Sequence, residues 1–315
     1  MTTVADDLRR AFGDRALRDA ALAPLTTFRV GGAAEWLVET RGAEEALLAL
    51  QIAARVSMPV TILGGGSNVL VSDAGVPGLV LRPRGGAVSA LDAEHVVADA
   101  AVTINALVRW TILHGAAGLE AWAGTPGTVG GAIHGNAHFA GQLIGDSVTA
   151  VRVAGRDGVA REVPAADMAF AYDRSRLQES GEVLLSAVFR VSRGEPAVLR
   201  AAARASLAFR KRTQPLDAPS AGCIFRNPEP GHDVVPEGVP WSAGALVDRA
   251  GLKGFRIGGA CVSPVHGNFI INDNHATARD IRQLIEHCRA AVRARFGVEL
   301  REEIVYLGHF PCPPC

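Results

Sequence analysis

Thirteen residues constrain this chain more than any others. The stretch Gly124-Thr-Pro-Gly-Thr-Val-Gly-Gly-Ala-Ile-His-Gly-Asn136 holds five glycines and a proline. Glycine reaches positive φ freely and lets another group approach with no Cβ in the way. Consecutive N–H groups along such a loop form a concave nest suited to an anion, typically a phosphate. A second loop of this kind, Gly64-Gly-Gly-Ser-Asn68, follows the apolar run Pro59-Val-Thr-Ile-Leu63. Two separate loops point to a ligand with two phosphates, or to a long cofactor gripped at two places. Neither fits the dinucleotide fingerprint GxGxxG or the P-loop pattern GxxxxGK[ST]. Each alone also reads as a tight turn.

A chain of 315 residues is long for one domain. Its formal net charge of +0 argues against nucleic acid or an anionic membrane as partner. No apolar run approaches the roughly 18 residues of a spanning helix, and Met-Thr-Thr-Val-Ala-Asp-Asp reads as a helix start rather than a secretory leader. A cytoplasmic, monomeric protein acting on a small molecule is expected. Of five cysteines, Cys223, Cys261 and Cys288 are scattered, and Cys312-Pro-Pro-Cys315 reads as a tail. That is no disulfide framework. His134 and His138 lack the carboxylate of an HExxH pattern and read as loop or cofactor-lining residues, so no metal site is expected.

Periodicity predicts helices over Asp6–Arg18, Ala43–Arg55, Thr103–His114, Pro196–Lys211, Ala243–Arg249 and Thr277–Phe296. Thr277 with Asp280 forms a capping-box start for the last of these, and Gly297 stops it. Strands are expected over Pro59–Leu63, Val69–Ser72, Leu79–Arg82, Val96–Ala98, Val148–Val153, Val183–Val191, Phe269–Asn272 and Val298–Tyr306. Helix and strand do not alternate regularly, which favours α+β over a doubly wound parallel fold. The expected division is 1–83, 84–200 and 201–307, with 308–315 as a tail.

Chemistry concentrates between Lys211 and Asn227. Cys223 follows Ala-Gly and has Arg212 and Arg226 on either side in sequence. An electropositive setting favours thiolate or proton exchange; a free cysteine is equally at home as a small buried hydrophobe.

Several stretches together resemble one family. Thr27-Phe-Arg-Val-Gly-Gly32, Leu63-Gly-Gly-Gly-Ser-Asn-Val-Leu70 and Gly124–Ala132 with Asn136 are similar to the flavin-binding part of the UDP-N-acetylenolpyruvoylglucosamine reductases. Pro219–Pro228, Ala243–Asp248, Gly251–Gly254, His266-Gly-Asn-Phe-Ile-Ile-Asn272 and Gly297–Glu303 continue the likeness in the family's order. The resemblance implies two α+β parts that bind FAD in the manner of the p-cresol methylhydroxylase/vanillyl-alcohol oxidase flavoproteins, and a third α+β part that binds substrate. It implies that NADPH reduces the flavin, which then reduces an enolpyruvyl group on a UDP-sugar during peptidoglycan precursor synthesis. The short chain between Tyr172 and the Pro196 helix resembles the family's compact subtype.

The same resemblance assigns residues. FAD would be held by Arg29, Gly64, Gly65, Gly66, Ser67, Asn68, Gly124, Thr125, Pro126, Gly127, Gly130, Gly131 and Asn136. Substrate would meet Tyr172, Lys211 and Asn227. Hydride addition builds negative charge toward the substrate carboxylate, which calls for a cation there, and the neighbouring carbon needs a proton donor. Cys223 stands where the family usually has a serine, and a thiol is the more acidic donor. Glu303 matches a glutamate that assists at the carboxylate. Glu302 beside it faces the other side of the strand and should be nearly silent on substitution. The family's Tyr-Arg-x-Ser is here Tyr172-Asp-Arg-Ser175, so Arg174, one residue late, or Arg176 takes the arginine's part. Other flavin enzymes of the same fold and a non-catalytic flavin-binding module are the competing readings.

Overall fold

The computed structural model describes residues 3–310. Cys312 and Cys315 lie outside them. The chain divides into two compact units. Unit 1 comprises residues 3–20, Glu35–Gly65 and Pro77–Phe209; unit 2 comprises Ala21–Ala34, Gly66–Val76 and residues 210–310.

In unit 1, helix α1 (Val4–Phe12) starts on a Thr3–Asp6 capping box and stops at Gly13, whose φ is 56°. The expected helix to Arg18 is therefore shorter. Gly13 turns the chain into a strand, Ala16–Ala21, because a left-handed residue ends a helix. That strand opens a four-stranded sheet with Ala33–Arg41, Val76–Arg84 and Val60–Ile62, in that order, the last two pairing in parallel. Helix α2 (Gly42–Arg55) covers this sheet with Ala46, Ala49, Leu50, Ile52 and Ala53.

A second sheet in unit 1 has five antiparallel strands in the order Ala160–Pro164, Val148–Ala154, Val183–Arg190, His95–Asp99 and Val88–Ala90. Its core gathers Val96, Ala98, Val151 and Phe189 against helix α3 (Ile104–Leu113), capped by Thr103, and the short helix α4 (Val129–His134), capped by Thr128. Helix α5 (Leu177–Ser180) is a single turn closed by left-handed Gly181.

Helix α6 (Pro196–Thr213) ends on the basic run Arg210, Lys211 and Arg212. Unit 2 then adds helix α7 (Ala243–Arg249) and a three-stranded antiparallel sheet of Arg256–Ile257, Ala260–Val262 and Ile270–Asn272. Helix α8 (Ala278–Phe296) buries Ile281, Leu284, Ile285, Cys288 and Val292 along one face. Each such aliphatic side chain contributes about 1.5–3 kcal/mol on burial. Besides its own capping box, α8 receives the Asp73 carboxylate, which accepts from the N–H groups of Ala278 and Arg279 at 2.9 and 3.0 Å. An anion at a helix N-terminus satisfies orphan donors and meets the helix dipole favourably. The final strand is shorter than expected. Only Val305–Leu307 is regular, and it pairs in parallel with Val69–Val71. Among the described residues, no helix is long and apolar enough to cross a membrane.

Candidate flavin and thiol site

The glycine loops owe their shape to the absence of side chains. A Cβ on Gly65 would lie 2.7 Å from the Gly127 Cα, and one on Gly64 would lie 2.7 Å from Thr128 Oγ1. The two loops of unit 1 thus touch backbone to backbone, closer than any side chain permits. Gly124 N–H donates to Asn105 Oδ1 at 2.8 Å, and the Gly130 N–H donates to the Ala100 carbonyl at 2.8 Å. Gly131 N–H donates to the capping hydroxyl of Thr128. Among the described residues, the N–H groups of Gly64 and Gly65 meet no protein acceptor. Amides of this kind suit phosphate oxygens, so these residues fit an anionic dinucleotide such as FAD.

Beyond Gly65 the same loop belongs to unit 2. The Gly66 carbonyl accepts from both the N–H and the hydroxyl of Thr27, at 3.0 and 3.2 Å. Gly66 has φ 64° and no room for a Cβ, which would sit 2.2 Å from the Leu25 carbonyl. Arg29 is exposed and also left-handed, at φ 57°. Its own N–H donates to Thr26. Ser67 is half-buried, and Asn68 donates its amide to the Glu303 carbonyl at 3.2 Å.

Asn136, by contrast, is fully buried, at φ 44°. Its amide donates to the Ala171 carbonyl at 2.7 Å, and its Oδ1 accepts from Gly145 N–H at 2.9 Å. It holds the 171–174 turn in place. Within that turn, Ala171 and Arg174 exchange backbone hydrogen bonds of 3.1 Å, and Asp173 sits left-handed and buried at the corner. Tyr172 hydroxyl lies 3.3 Å from His138 Nε2, with the two rings 4.6 Å apart. Arg174 points outward and pairs with Glu179, while Arg176 pairs with Glu182 at 2.9 Å. Both candidate arginines have acidic partners in unit 1.

In unit 2 the chemistry centres on Cys223. Its segment is bracketed by two others: Cys223 bridges Phe269, and Phe225 bridges Glu302. Glu303 N–H donates to the Ile224 carbonyl at 2.8 Å, and Arg226 N–H to the Arg301 carbonyl at 2.8 Å. Cys223 is only half-buried as a residue, yet its thiol is enclosed by protein. That burial, reinforced by the Glu303 carboxylate, pushes the thiol well above its ordinary range; a hydrogen bond from Asn268 and the charge of Arg210 act the other way. Arg210 is buried, and burial lowers its guanidinium to about 10. Lys211 next to it is exposed. Asn227 is exposed too, and its Oδ1 accepts from Ala243 N–H at the start of α7 at 3.0 Å.

The structure therefore brings Cys223 and Glu303 together, with Arg210 and Asn268 added. Arg210 went unread in the sequence because basic residues in a last turn are common as partners of the helix dipole. Asn268 lay inside the His266–Asn272 motif, but nothing local distinguished it. Glu302 faces away from the thiol, among the arginines of α8. Arg289 Nη1 lies 3.4 Å from its Oε1 and Arg282 Nη1 3.7 Å from its Oε2. Among the described residues, no cluster of three or more His, Cys, Asp or Glu side chains could hold a metal ion.

Comparison with known proteins agrees with this layout. Residues 34–163 match the family model of the FAD binding domain, and residues 214–307 match that of the UDP-N-acetylenolpyruvoylglucosamine reductase C-terminal domain. A UDP-N-acetylenolpyruvoylglucosamine reductase of Anaeromyxobacter sp. (strain Fw109-5) is 43% identical over 312 residues, covering 96% of this chain and 92% of that one. That of Acaryochloris marina is 39% identical over 294 residues, covering 92% of each. The chain belongs to the UDP-N-acetylenolpyruvoylglucosamine reductase family. A solved UDP-N-acetylenolpyruvylglucosamine reductase from Thermus caldophilus superposes with a TM-score of 0.76 at 32% identity, covering 93% of this chain and 99% of that one. Like other members of this reductase family, the chain is an FAD-containing oxidoreductase of mixed helix and strand.

Proposed function

We propose that this protein uses NADPH to reduce the enolpyruvyl group of UDP-N-acetylglucosamine-enolpyruvate, giving UDP-N-acetylmuramate for peptidoglycan synthesis. It acts as a monomer in the cytoplasm on this small molecule. The observation that carries the reading is the enclosed Cys223 thiol, whose burial and nearby Glu303 favour its protonated form, at the place where the family resemblance puts a serine. FAD, when bound, supplies the two-electron carrier that takes hydride from NADPH and delivers it to the enol ether.

The chain's own residues supply the rest. The glycine amides at 64–65 hold the phosphates, and the loop at 124–131 backs them. Cys223 keeps its proton because its thiol is desolvated and gives it to the carbon next to the one that receives hydride, completing the addition of H⁻ and H⁺ across the double bond. A correctly placed general acid typically contributes about 10²–10⁴-fold. Glu303 assists as charge rearranges on the substrate carboxylate. Arg174 is the proposed cation for that carboxylate; its exposed pair with Glu179 is worth only about 0–1 kcal/mol, so exchanging partners costs little. Tyr172, Asn227 and Lys211 are proposed to contact substrate.

The test is NADPH oxidation by purified protein with and without UDP-N-acetylglucosamine-enolpyruvate, with the product identified by mass. Steady oxidation only when the substrate is present, with a product two hydrogens heavier, is expected. Oxidation that ignores the substrate would replace this reading with that of a general flavin oxidase.

A further inference from the structure

The peptide between Phe28 and Arg29 is held from both sides. Its carbonyl accepts from Asn272 Nδ2 at 2.9 Å, a contact that spans 244 residues of sequence. Its N–H donates to the Thr26 hydroxyl at 3.2 Å and to the Thr26 carbonyl at 3.3 Å. Phe28 and Val30 are both buried in the core of unit 2, so the backbone on either side of Arg29 is anchored. Asn272 is itself fixed. Its Oδ1 accepts from Ala276 N–H at 2.9 Å, and its own N–H donates to the Pro219 carbonyl at 2.9 Å. Its strand pairs with Ala260–Val262.

With its peptide plane set in this way, Arg29 takes φ 57°. A left-handed conformation is unfavourable for any residue with a Cβ, and glycine would make a bare turn with less strain. The same loop does use glycine two residues on. At Gly31 φ is 114°, and a Cβ there would lie 2.5 Å from that of Val71. Arg29 is exposed, and among the described residues its guanidinium has no hydrogen-bond or ion-pair partner. Backbone strain of this kind persists where the surroundings over-determine it, and it gathers where ligands are held. We propose that Asn272 is a positioning residue for the cofactor: with Thr26 it fixes the Phe28–Arg29 peptide, holds Arg29 left-handed, and so presents the guanidinium to the negative charge of FAD. The inference rests on the reading of Arg29 as a cofactor residue, though the clamp on its backbone does not.

The experiment is a double-mutant cycle on FAD affinity. Flavin is stripped from the full-length wild type, Asn272→Ala, Arg29→Met and the double variant. FAD is then titrated back, and binding is followed by the quenching of flavin fluorescence. Arg29→Met removes a charge-assisted contact and should weaken binding about 10–100-fold. Freed of its clamp, Arg29 returns to ordinary backbone angles. Recovering the left-handed form on binding should weaken the affinity of Asn272→Ala about 5–30-fold. Both changes act through one guanidinium, so the double variant should bind within about twofold of Arg29→Met. A merely structural part for Asn272 would leave its own factor standing in the Arg29→Met background, and factors that multiply overturn the proposal. Asn272→Ala with wild-type affinity overturns it too, and leaves Arg29 as a cofactor residue. Wild-type affinity in Arg29→Met instead removes Arg29 from the cofactor site, and the proposal with it. Should Asn272→Ala not fold, Thr26→Val takes its place in the cycle with the same outcomes, because it deletes the hydroxyl on the other side of the same peptide.

Discussion

The Asn68 side chain donates to the Glu303 carbonyl at 3.2 Å, across 235 residues of sequence. Val305 N–H returns a bond to the Asn68 carbonyl at 3.0 Å. The end of the first glycine loop and the segment that bears the proposed catalytic glutamate and leads into the final strand are thereby one piece of structure. Glu303 is placed by its backbone on both sides, at Asn68 and at Ile224, and its charge acts on the Cys223 thiol.

Glu303→Gln should lower kcat with little change in KM, because its help is needed as charge moves in the transition state. Glu302→Gln should leave kcat near wild type and lower the melting temperature, because Glu302 sits between Arg282 and Arg289. The loss should be about 1 kcal/mol for these part-exposed pairs, or some 2–4 °C for a chain of this size. Steady-state kinetics and thermal melts on both variants separate the two. A loss of turnover confined to Glu302→Gln would put the strand one residue out of phase.

Cys223→Ala should slow flavin reoxidation by substrate about 10²–10⁴-fold and leave reduction by NADPH nearly intact. Cys223→Ser should recover much of the rate. The raised thiol value also fixes the sign of the pH dependence. The folded protein holds this proton more tightly than the unfolded chain does. The stability it contributes is therefore complete below the ordinary thiol value and is lost as pH climbs toward the folded one. Reoxidation should accordingly hold its rate between about pH 7 and 9, whereas an unperturbed thiol would have lost half its protons near 8.5. A decline centred there in stopped-flow traces would count against the buried, protonated donor.

Arg174→Met should impair reoxidation by substrate more than FAD retention. Arg176→Met should mainly destabilise, since its pair with Glu182 is the better covered of the two. A larger kinetic loss at Arg176 would reassign the carboxylate partner.

Gly65→Ala should shed FAD without unfolding unit 1. The added methyl would stand 2.7 Å from the Gly127 Cα and force the two loops apart. Protein purified as a colourless, cooperative melter is the expected result. A yellow variant with wild-type flavin content would mean that the close approach of these loops does not shape the cofactor site. In the wild type the flavin should be released by acid, for no cysteine or histidine here is assigned to a covalent link.

Much of this was readable from local pattern. Thr103 and Thr277 stand at the starts of α3 and α8 as hydroxyl caps, whereas α4, capped by Thr128, hides in a stretch whose glycines disfavour helix. The strand Ala33–Arg41 escaped notice because Trp36, Leu37 and Val38 are all buried and break the alternation. Cys223 and Glu303 were found through the motif. Arg210 and Asn268 were not, because what sets them apart is a partner distant in sequence: Asn268 meets Phe225 across 43 residues. Membership of Ala21–Ala34 and Gly66–Val76 in unit 2 has the same origin. A short apolar run carries no mark of which distant segment will cover it.

The parallel pair Val69–Val71 with Val305–Leu307 sets an order of events during synthesis. A ribosome adds about 5–20 residues per second. The first of these strands therefore waits roughly 10–50 s with its pairing edge open before its partner leaves the tunnel. Ser72 waits with it, since its N–H and hydroxyl are destined for the Leu307 and His309 carbonyls. At three residues, the strand is short enough to be a poor template for foreign pairing. Asp73 follows directly and adds a charge at that edge until the N-terminus of α8 arrives to receive it. The loop that would bind flavin is thus closed at its far end only by a segment made 235 residues later, and until then it lacks the partners that fix that end.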